Sequence, residues 1–377
     1  MTGPVAVATA AFKGALSAAA ASRAVAAGVR LAATGVETRV VPVADGGEGT
    51  LEALVAAARG RRRGWVVDDP LGRPVEAAIG ELPGHVAVVE LAQASGYERL
   101  LPGERDPERT STAGTGQQIR AALDIGATRI IVGLGGSATN DGGMGLARAL
   151  GARFLDAAGT ELAGTGADLV RVATVDLSDL DPRIAGTELV VACDVTNPLT
   201  GPDGAAAVFG PQKGADPAMV GRLDEGLRAY ARAVTAATGV EVLDVPGLGA
   251  AGGAAAGLVA LLGARLEPGA RMVLDAAGLP AALAGAALCI TGEGRLDEQS
   301  MRGKAPAAVA EACAAAGVPC VAVCGELALL PGMVRRMGLA AAFPINRSLR
   351  PEPDALAETE TNLAAMGAAI AGLFTAR

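Results

Sequence analysis

Between residues 133 and 143 the chain collects five glycines, two hydroxyls, an amide and a carboxylate: Gly133-Leu134-Gly135-Gly136-Ser137-Ala138-Thr139-Asn140-Asp141-Gly142-Gly143. Glycines let successive backbone N–H groups turn toward one point and let a ligand approach the main chain. Gly135, Gly136, Ser137, Thr139 and Asn140 are therefore candidate contacts for a phosphate-bearing cofactor. Met144 to Leu150 reads as a helix whose N-terminus would favour an anion at the same point. Asp141 would be repelled by bound phosphate unless a cation lay between them, which makes it a candidate Mg²⁺ ligand. The alternative is a tight strand-to-helix turn, which rarely needs so many glycines together with Ser, Thr, Asn and Asp.

The cations are selective. Of 32 Lys+Arg only Lys13, Lys213 and Lys304 are lysines, and each adjoins a glycine (Gly14, Gly214, Gly303). A compact ammonium beside a flexible backbone can reach phosphate where a planar guanidinium would not fit. Carboxylates also recur among glycines or at strand ends. Asp45 and Glu48 sit in Asp45-Gly46-Gly47-Glu48-Gly49-Thr50, where a ligand role and an Asx turn with a helix-start charge weigh equally. Asp194, in Cys193-Asp194-Val195-Thr196-Asn197-Pro198, is a candidate for metal or substrate, with a loop-stabilising carboxylate as the alternative. Glu293 and Asp297 share Thr291-Gly292-Glu293-Gly294-Arg295-Leu296-Asp297 with the cation Arg295. His85 is the single histidine, so His triads and His metal sites are excluded and carboxylates remain as general bases.

Strands and helices must bring these groups together. Val5 to Thr9 reads as a buried strand, followed by a helix from a Ser17 cap to about Ala33, with Gly35 as its stop. Thr38 to Ala44 is a second strand, ending at the Asp45 motif, the usual place for ligands in open parallel sheets. Segments 64–68, 75–82 and 85–91 alternate in short runs and predict antiparallel or mixed sheet. Thr110 to Gly116 precedes a helix from Gln117 and reads as a cap, or as a second phosphate-facing turn. Further strands are expected at 129–132, 189–192, 287–290, 318–324 and 340–345, with a hairpin around Asp156 to Gly159. The fold class is α/β in two domains. Residues 1–63 and 286–377 would form one parallel-sheet domain, with 64–285 inserted as a second α/β domain of mixed sheet. The proposed ligands come from both.

Composition narrows the function classes. At 377 residues there is chain enough for two cores, and at 2% aromatics those cores must be aliphatic. A net charge of −8 and the scarcity of aromatics argue against nucleic acid. Arg59 and Arg61 to Arg63 read as a solvated turn. The five cysteines lack metal-ligand spacing and predict reduced, buried thiols in the cytoplasm. The uncharged run 245–264 is mostly Gly and Ala and reads as a buried loop and helix, not a membrane span. Gly247 to Gly252, with Glu267 about 20 residues on, matches the dinucleotide pattern, but Pro246 interrupts any strand leading in.

Taken together, the motifs around Asp141, Asp45, Asp194, Lys213 and Glu293 resemble the bacterial glycerate kinase family, over residues 5 to about 345. That resemblance implies ATP, Mg²⁺ and D-glycerate, a 2-phosphoglycerate product, and a flavodoxin-like domain formed by both chain ends. It places all three lysines in family motifs. On it, Lys13, Lys304, Arg295 and Asp194 are expected to be catalytic. Lys213 joins the cofactor-binding loop, Asp45, Glu48, Glu293 and Asp297 line the substrate, and Asp141 and Asp194 hold metal. One departure is Ala8-Thr9-Ala10-Ala11-Phe12-Lys13-Gly14, in which Ala10 stands where the family usually has Asp. A non-catalytic glycerate- or nucleotide-binding homologue, and less readily an NAD-dependent oxidoreductase, are the competing readings.

Overall fold

The computed structural model of the chain describes residues 3–44, 46–47, 49–301, 304–346 and 352–375. Asp45 and Glu48, two of the expected substrate ligands, lie outside the described residues, as do Arg302 and Gly303. The strands are β1 (Val5–Thr9), β2 (Thr38–Val40), β3 (Arg61–Asp68), β4 (Pro74–Leu82), β5 (Val86–Glu90), β6 (Arg129–Gly133), β7 (Arg153–Leu155), β8 (Thr174–Asp176), β9 (Glu188–Ala192), β10 (Arg265–Glu267), β11 (Leu288–Leu296), β12 (Cys320–Leu327) and β13 (Ala341–Pro344). The chain divides into two compact α/β units. One comprises Met1–Asp45, Glu52–Ala58 and Ala270–Arg377, the other Gly46–Leu51 and Arg59–Gly269.

The first unit carries a wholly parallel five-stranded sheet ordered β13-β12-β11-β1-β2. Counted within the unit, that order is 2-1-3-4-5, the flavodoxin-like arrangement. All five residues of β1 are buried, as a central parallel strand between helical layers must be. Ser17 caps helix Ala18–Ala32, its Oγ accepting the Ala20 N–H at 3.3 Å. The second strand is shorter than the sequence predicts. Beyond Val40, Val41 and Val43 still donate to Val7 O and Thr9 O at 2.8 and 3.2 Å.

The second unit carries a six-stranded mixed sheet, β10-β9-β6-β5-β4-β3, with β3, β4 and β5 antiparallel and β5, β6, β9 and β10 parallel. Arg61 to Arg63, expected in a turn, open the edge strand β3 instead. They pair in register with Glu81 to Ile79, and Arg63 Nε meets Glu81 Oε2 at 2.7 Å. Charged side chains on an edge strand discourage pairing with another chain. The core is aliphatic apart from Phe154 and Tyr230, whose ring centroids lie 6.0 Å apart.

The division does not fall at 63/64 and 285/286. All of β3 pairs with β4. Leu274, Leu279 and Leu283 share a core with Ala6 and Cys289 and so belong with the chain ends. Among the described residues, no helix is long and apolar enough to cross a membrane. The run 245–264 ends in the buried helix Ala254–Leu262.

Candidate active site

In the second unit four parallel strands end level: Glu90, Gly133, Ala192 and Glu267 are successive register partners. Open α/β sheets bind ligands at this carboxyl edge. The segment Gly46–Leu51 lies across it. A Cβ on Gly133 would stand 2.8 Å from Gly46 O, and one on Gly46 would stand 3.0 Å from Gly269 Cα and 3.2 Å from Ala192 O. A Cβ on Gly269 would stand 3.1 Å from Asp194 Oδ2. There is no room for side chains here, so three glycines bring backbone from distant parts of the chain up to the half-buried Asp194 carboxylate. Burial pushes the adjacent Cys193 thiol up to about 11, so it is protonated and a poor nucleophile near neutrality. Asn197 is committed elsewhere, donating from Nδ2 to Asp203 O at 2.8 Å.

Sequence reasoning missed Glu90. It is buried at the end of β5, where Oε1 accepts the Leu51 N–H at 2.8 Å and Oε2 accepts Gln93 Nε2 at 3.2 Å. The signal was present, since a carboxylate closes the apolar run Val86-Ala87-Val88-Val89 much as Asp194 follows Val190-Val191-Ala192-Cys193. A cavity of about 200 Å³ opens beside Glu90, lined also by Gln93, Tyr97, Arg99 and Gly136.

The glycine loop has two layers. Gly135 and Gly136 are half-exposed, whereas Ser137 is buried and Thr139, Asn140 and Asp141 have no exposure at all. Tyr97 N–H donates to Gly136 O at 3.0 Å and Ala138 N–H to Ser95 O at 2.9 Å, which fixes the outer layer. In the inner layer, Asp141 Oδ2 accepts from Thr112 N and Thr112 Oγ1 at 2.7 Å each and from Gly145 N at 3.2 Å. Its Oδ1 accepts from Gly143 N at 3.1 Å. Burial pushes the Asp141 carboxyl up, and these four hydrogen bonds pull it back. A metal at Oδ2 would have to displace three of those donors. Asp141 accepts the Gly143 and Gly145 N–H groups at the start of the six-residue helix Met144–Ala149, where a negative charge is favoured.

Lys213 is also an inner-layer group. It is buried, and its Nζ donates to Thr139 O at 2.7 Å. Burial pushes its ammonium down to about 7, against the upward pull of the Asp141 charge. Thr139 Oγ1, both amide atoms of Asn140 and the Tyr230 hydroxyl are buried without a protein hydrogen-bond partner. Thr139, Asn140 and Lys213, expected to touch a cofactor, are thus buried, whereas Gly135 and Gly136 are half-exposed.

In the first unit β1 leads to the exposed Lys13. Glu293 and Arg295, expected on a loop, are strand residues, because β11 runs on through them opposite Cys324 and Glu326. Arg295 Nε lies 3.5 Å from Asp297 Oδ2 and its Nη2 3.6 Å from Glu326 Oε1. Asp297 ends the strand in an Asx turn, its Oδ1 accepting the N–H groups of Gln299 and Ser300 at 2.9 and 3.3 Å. Lys304 is the half-buried N-cap residue of helix Ala305–Ala316. Ala10 donates its N–H to Gly292 O at 2.8 Å and rests against the apolar core.

The dinucleotide pattern lacks its context. Residues Ala250–Gly253 form one short 3₁₀ turn containing Ala251 at φ 53°, and among the described residues no strand leads into it.

Comparison with known proteins gives the same answer as the motifs. Residues 5–375 match the model of the glycerate kinase family. The chain is 46% identical to a glycerate kinase of Halalkalibacterium halodurans over 336 residues, which is 89% of this chain and 88% of that one. It is 45% identical to the glycerate 2-kinase of Escherichia coli over 339 residues, 90% and 89% of the two chains. The crystal structure of the Salmonella typhimurium LT2 protein assigned as glycerate kinase 2 superposes with a TM-score of 0.87 at 43% identity, covering 100% of this chain and 99% of that one. With motifs, fold and relatives in agreement, the chain belongs to the glycerate kinase family and is a phosphotransferase.

Proposed function

We propose that this enzyme phosphorylates D-glycerate with ATP and Mg²⁺ to give 2-phosphoglycerate. The observation that carries the reading is the Asp194 carboxylate, half-buried against the glycine-only junction of Gly46, Gly133 and Gly269 at the carboxyl edge of the second sheet. Phosphoryl transfer demands positioning and charge neutralisation more than covalent chemistry. Mg²⁺ takes oxygen ligands, commonly one or two carboxylates with the remainder from water and phosphate. Asp194 stands half-buried at the carboxyl edge of the sheet, whereas Asp141 has no solvent exposure and accepts four hydrogen bonds from the chain. Asp194 would therefore hold the metal, which when bound neutralises phosphate charge, and Asp141 would hold the loop.

The half-exposed amides of Gly135 and Gly136, with Ser137, would bind nucleotide phosphate, and the cavity by Gln93, Tyr97 and Arg99 would take the rest of the nucleotide. Thr139, Asn140 and Lys213 would support that surface from below. Lys13, Lys304 and Arg295 would bind phosphoryl or substrate carboxylate oxygens, and Asp45, Glu48, Glu293 and Asp297 would bind substrate. Five free thiols, four of them buried, support a reducing, cytoplasmic setting.

The test is incubation with ATP, Mg²⁺ and D-glycerate, coupled to enolase. Phosphoenolpyruvate should form without added phosphoglycerate mutase, since enolase acts on the 2-phosphate. A strict need for the mutase would make the product 3-phosphoglycerate, and absence of glycerate-dependent ADP would overturn the reading.

A further inference from the structure

Three of the five cysteines share one spot in the first unit. Cys289 on β11 and Cys320 on β12 are direct partners in the parallel register, and Cys313 reaches them from helix Ala305–Ala316. All three side chains are buried, and their Sγ atoms lie within 4.8 Å of one another. The surrounding core is aliphatic, including Ala6, Leu283, Val309 and Ala322. Cys324, four residues along β12 from Cys320, is not part of the group and donates from Sγ to Phe343 O at 3.7 Å.

Three sulfurs about 2.3 Å from one ion in a plane would stand about 4 Å apart. The present spacing is therefore within a small side-chain adjustment of a closed trigonal site. Among the described residues, no His, Asp, Glu or further Cys joins the group as a fourth ligand. Structural Zn²⁺ sites are four-coordinate, and iron–sulfur clusters ordinarily use four cysteines, so both fit poorly. Soft thiolate donors in a dry pocket select a soft cation such as Cu(I).

We propose that Cys289, Cys313 and Cys320 form a three-sulfur site for one soft monovalent cation, Cu(I), lying between the sheet and helix Ala305–Ala316. The ion enters and remains as Cu⁺, each thiol that becomes a thiolate releases its proton to solvent, and nothing is oxidised or reduced. Occupancy would tie the helix that begins after Lys304 to β11 and β12, raising the thermal midpoint of the reduced protein. The inference is independent of the substrate reading above.

The test is anaerobic titration of fully reduced protein with Cu(I) presented as its bicinchoninate complex. One equivalent should transfer to the unmodified protein, at least tenfold more tightly than to Cys313→Ser or Cys289→Ala, with Cys193→Ser binding like the parent. Copper K-edge absorption of the loaded, unmodified protein should show three sulfurs at about 2.3 Å, a readout that stands even where a substitution unfolds the chain. The proposal is overturned if the unmodified protein takes no copper from the chelator, if the edge spectrum gives two sulfurs or an oxygen or nitrogen shell, or if both variants bind as tightly as the parent.

Discussion

Thr112→Val isolates the anchor beneath the glycine loop. The substitution keeps side-chain shape but removes a hydroxyl that donates to Asp141 Oδ2 at 2.7 Å and accepts the Leu146 N–H at 2.9 Å. Thr112, Asp141 and Leu146 all have no solvent exposure, so water cannot replace either bond. Leu146 lies in the first turn of its helix, where its N–H has no intrahelical acceptor, and orphaning it costs about 1–3 kcal/mol. Losing a hydrogen bond to a carboxylate costs about 1.5–3 kcal/mol. The valine methyl returns about 1 kcal/mol of apolar burial. The net loss is about 1.5–5 kcal/mol, which at about 2–4 °C per kcal/mol for a unit of this size lowers its melting midpoint on the order of 10 °C. Thr112→Ser keeps the hydroxyl and should lose no more than about 1 kcal/mol for the missing methyl. Calorimetric melts of the three proteins make the measurement. A Thr112→Val midpoint within about 2 °C of the parent, or equal losses in the two variants, would refute the anchor.

Asp141→Asn places an amide donor among four donors to the carboxylate; it should lower the melting midpoint while the Mg²⁺ concentration for half-maximal rate stays within about twofold of the parent, whereas Asp194→Asn should raise that requirement at least about tenfold (about 1.4 kcal/mol). A reversed pattern in Mg²⁺ titrations would return the metal to Asp141. Lys213 titrates near 7 when folded and near 10.5 when unfolded, so the unfolded chain holds the extra proton between those values and stability should rise with pH across that window. The rise is at most about 5 kcal/mol; denaturant melts from pH 7 to 10 should show it and Lys213→Met should lose it, and a flat profile in the parent would count against the buried ammonium. Asp141, raised by burial, acts in the opposite sense on the acid side, where its contribution is lost as pH rises. Lys304→Arg should cut turnover on the order of 100-fold with stability nearly unchanged, because a displacement of about 1 Å misplaces the transferring group; near-normal turnover would remove Lys304 from phosphate contact.

The parts of the site written in contiguous residues were legible. The run into Gly133 is a strand and the residues after Gly143 a helix because apolar periodicity and glycine punctuation agree there. The flavodoxin-like order follows the family resemblance rather than any periodicity. What escaped was decided by distant partners. Asp141 accepts two hydrogen bonds from Thr112, 29 residues earlier, and nothing local marks that meeting. Lys213 likewise reaches Thr139 across 74 residues and turns inward. Glu293 and Arg295 read as loop because glycines flank them, yet pairing with β12 overrides that local preference. Glu90 was overlooked because its neighbours at the sheet edge become visible only with the register of β5, β6 and β9.

The path of the chain through Gly46–Leu51 bears on how the second unit assembles. Within it, Gly46 lies against Gly133 and Leu51 supplies an N–H that Glu90 accepts, and the chain rejoins the first unit at Glu52. A fragment spanning 59–269 would therefore contain the whole mixed sheet and still lack Gly46 at its carboxyl edge and the Leu51 N–H that Glu90 Oε1 accepts. The segment is also made early, before the partners it must meet at Gly133, Ala192 and Gly269 exist, and each of those closures restricts a progressively longer loop. Completion of this edge thus requires the far end of the second unit, at Gly269. A half-made chain cannot close this sheet edge.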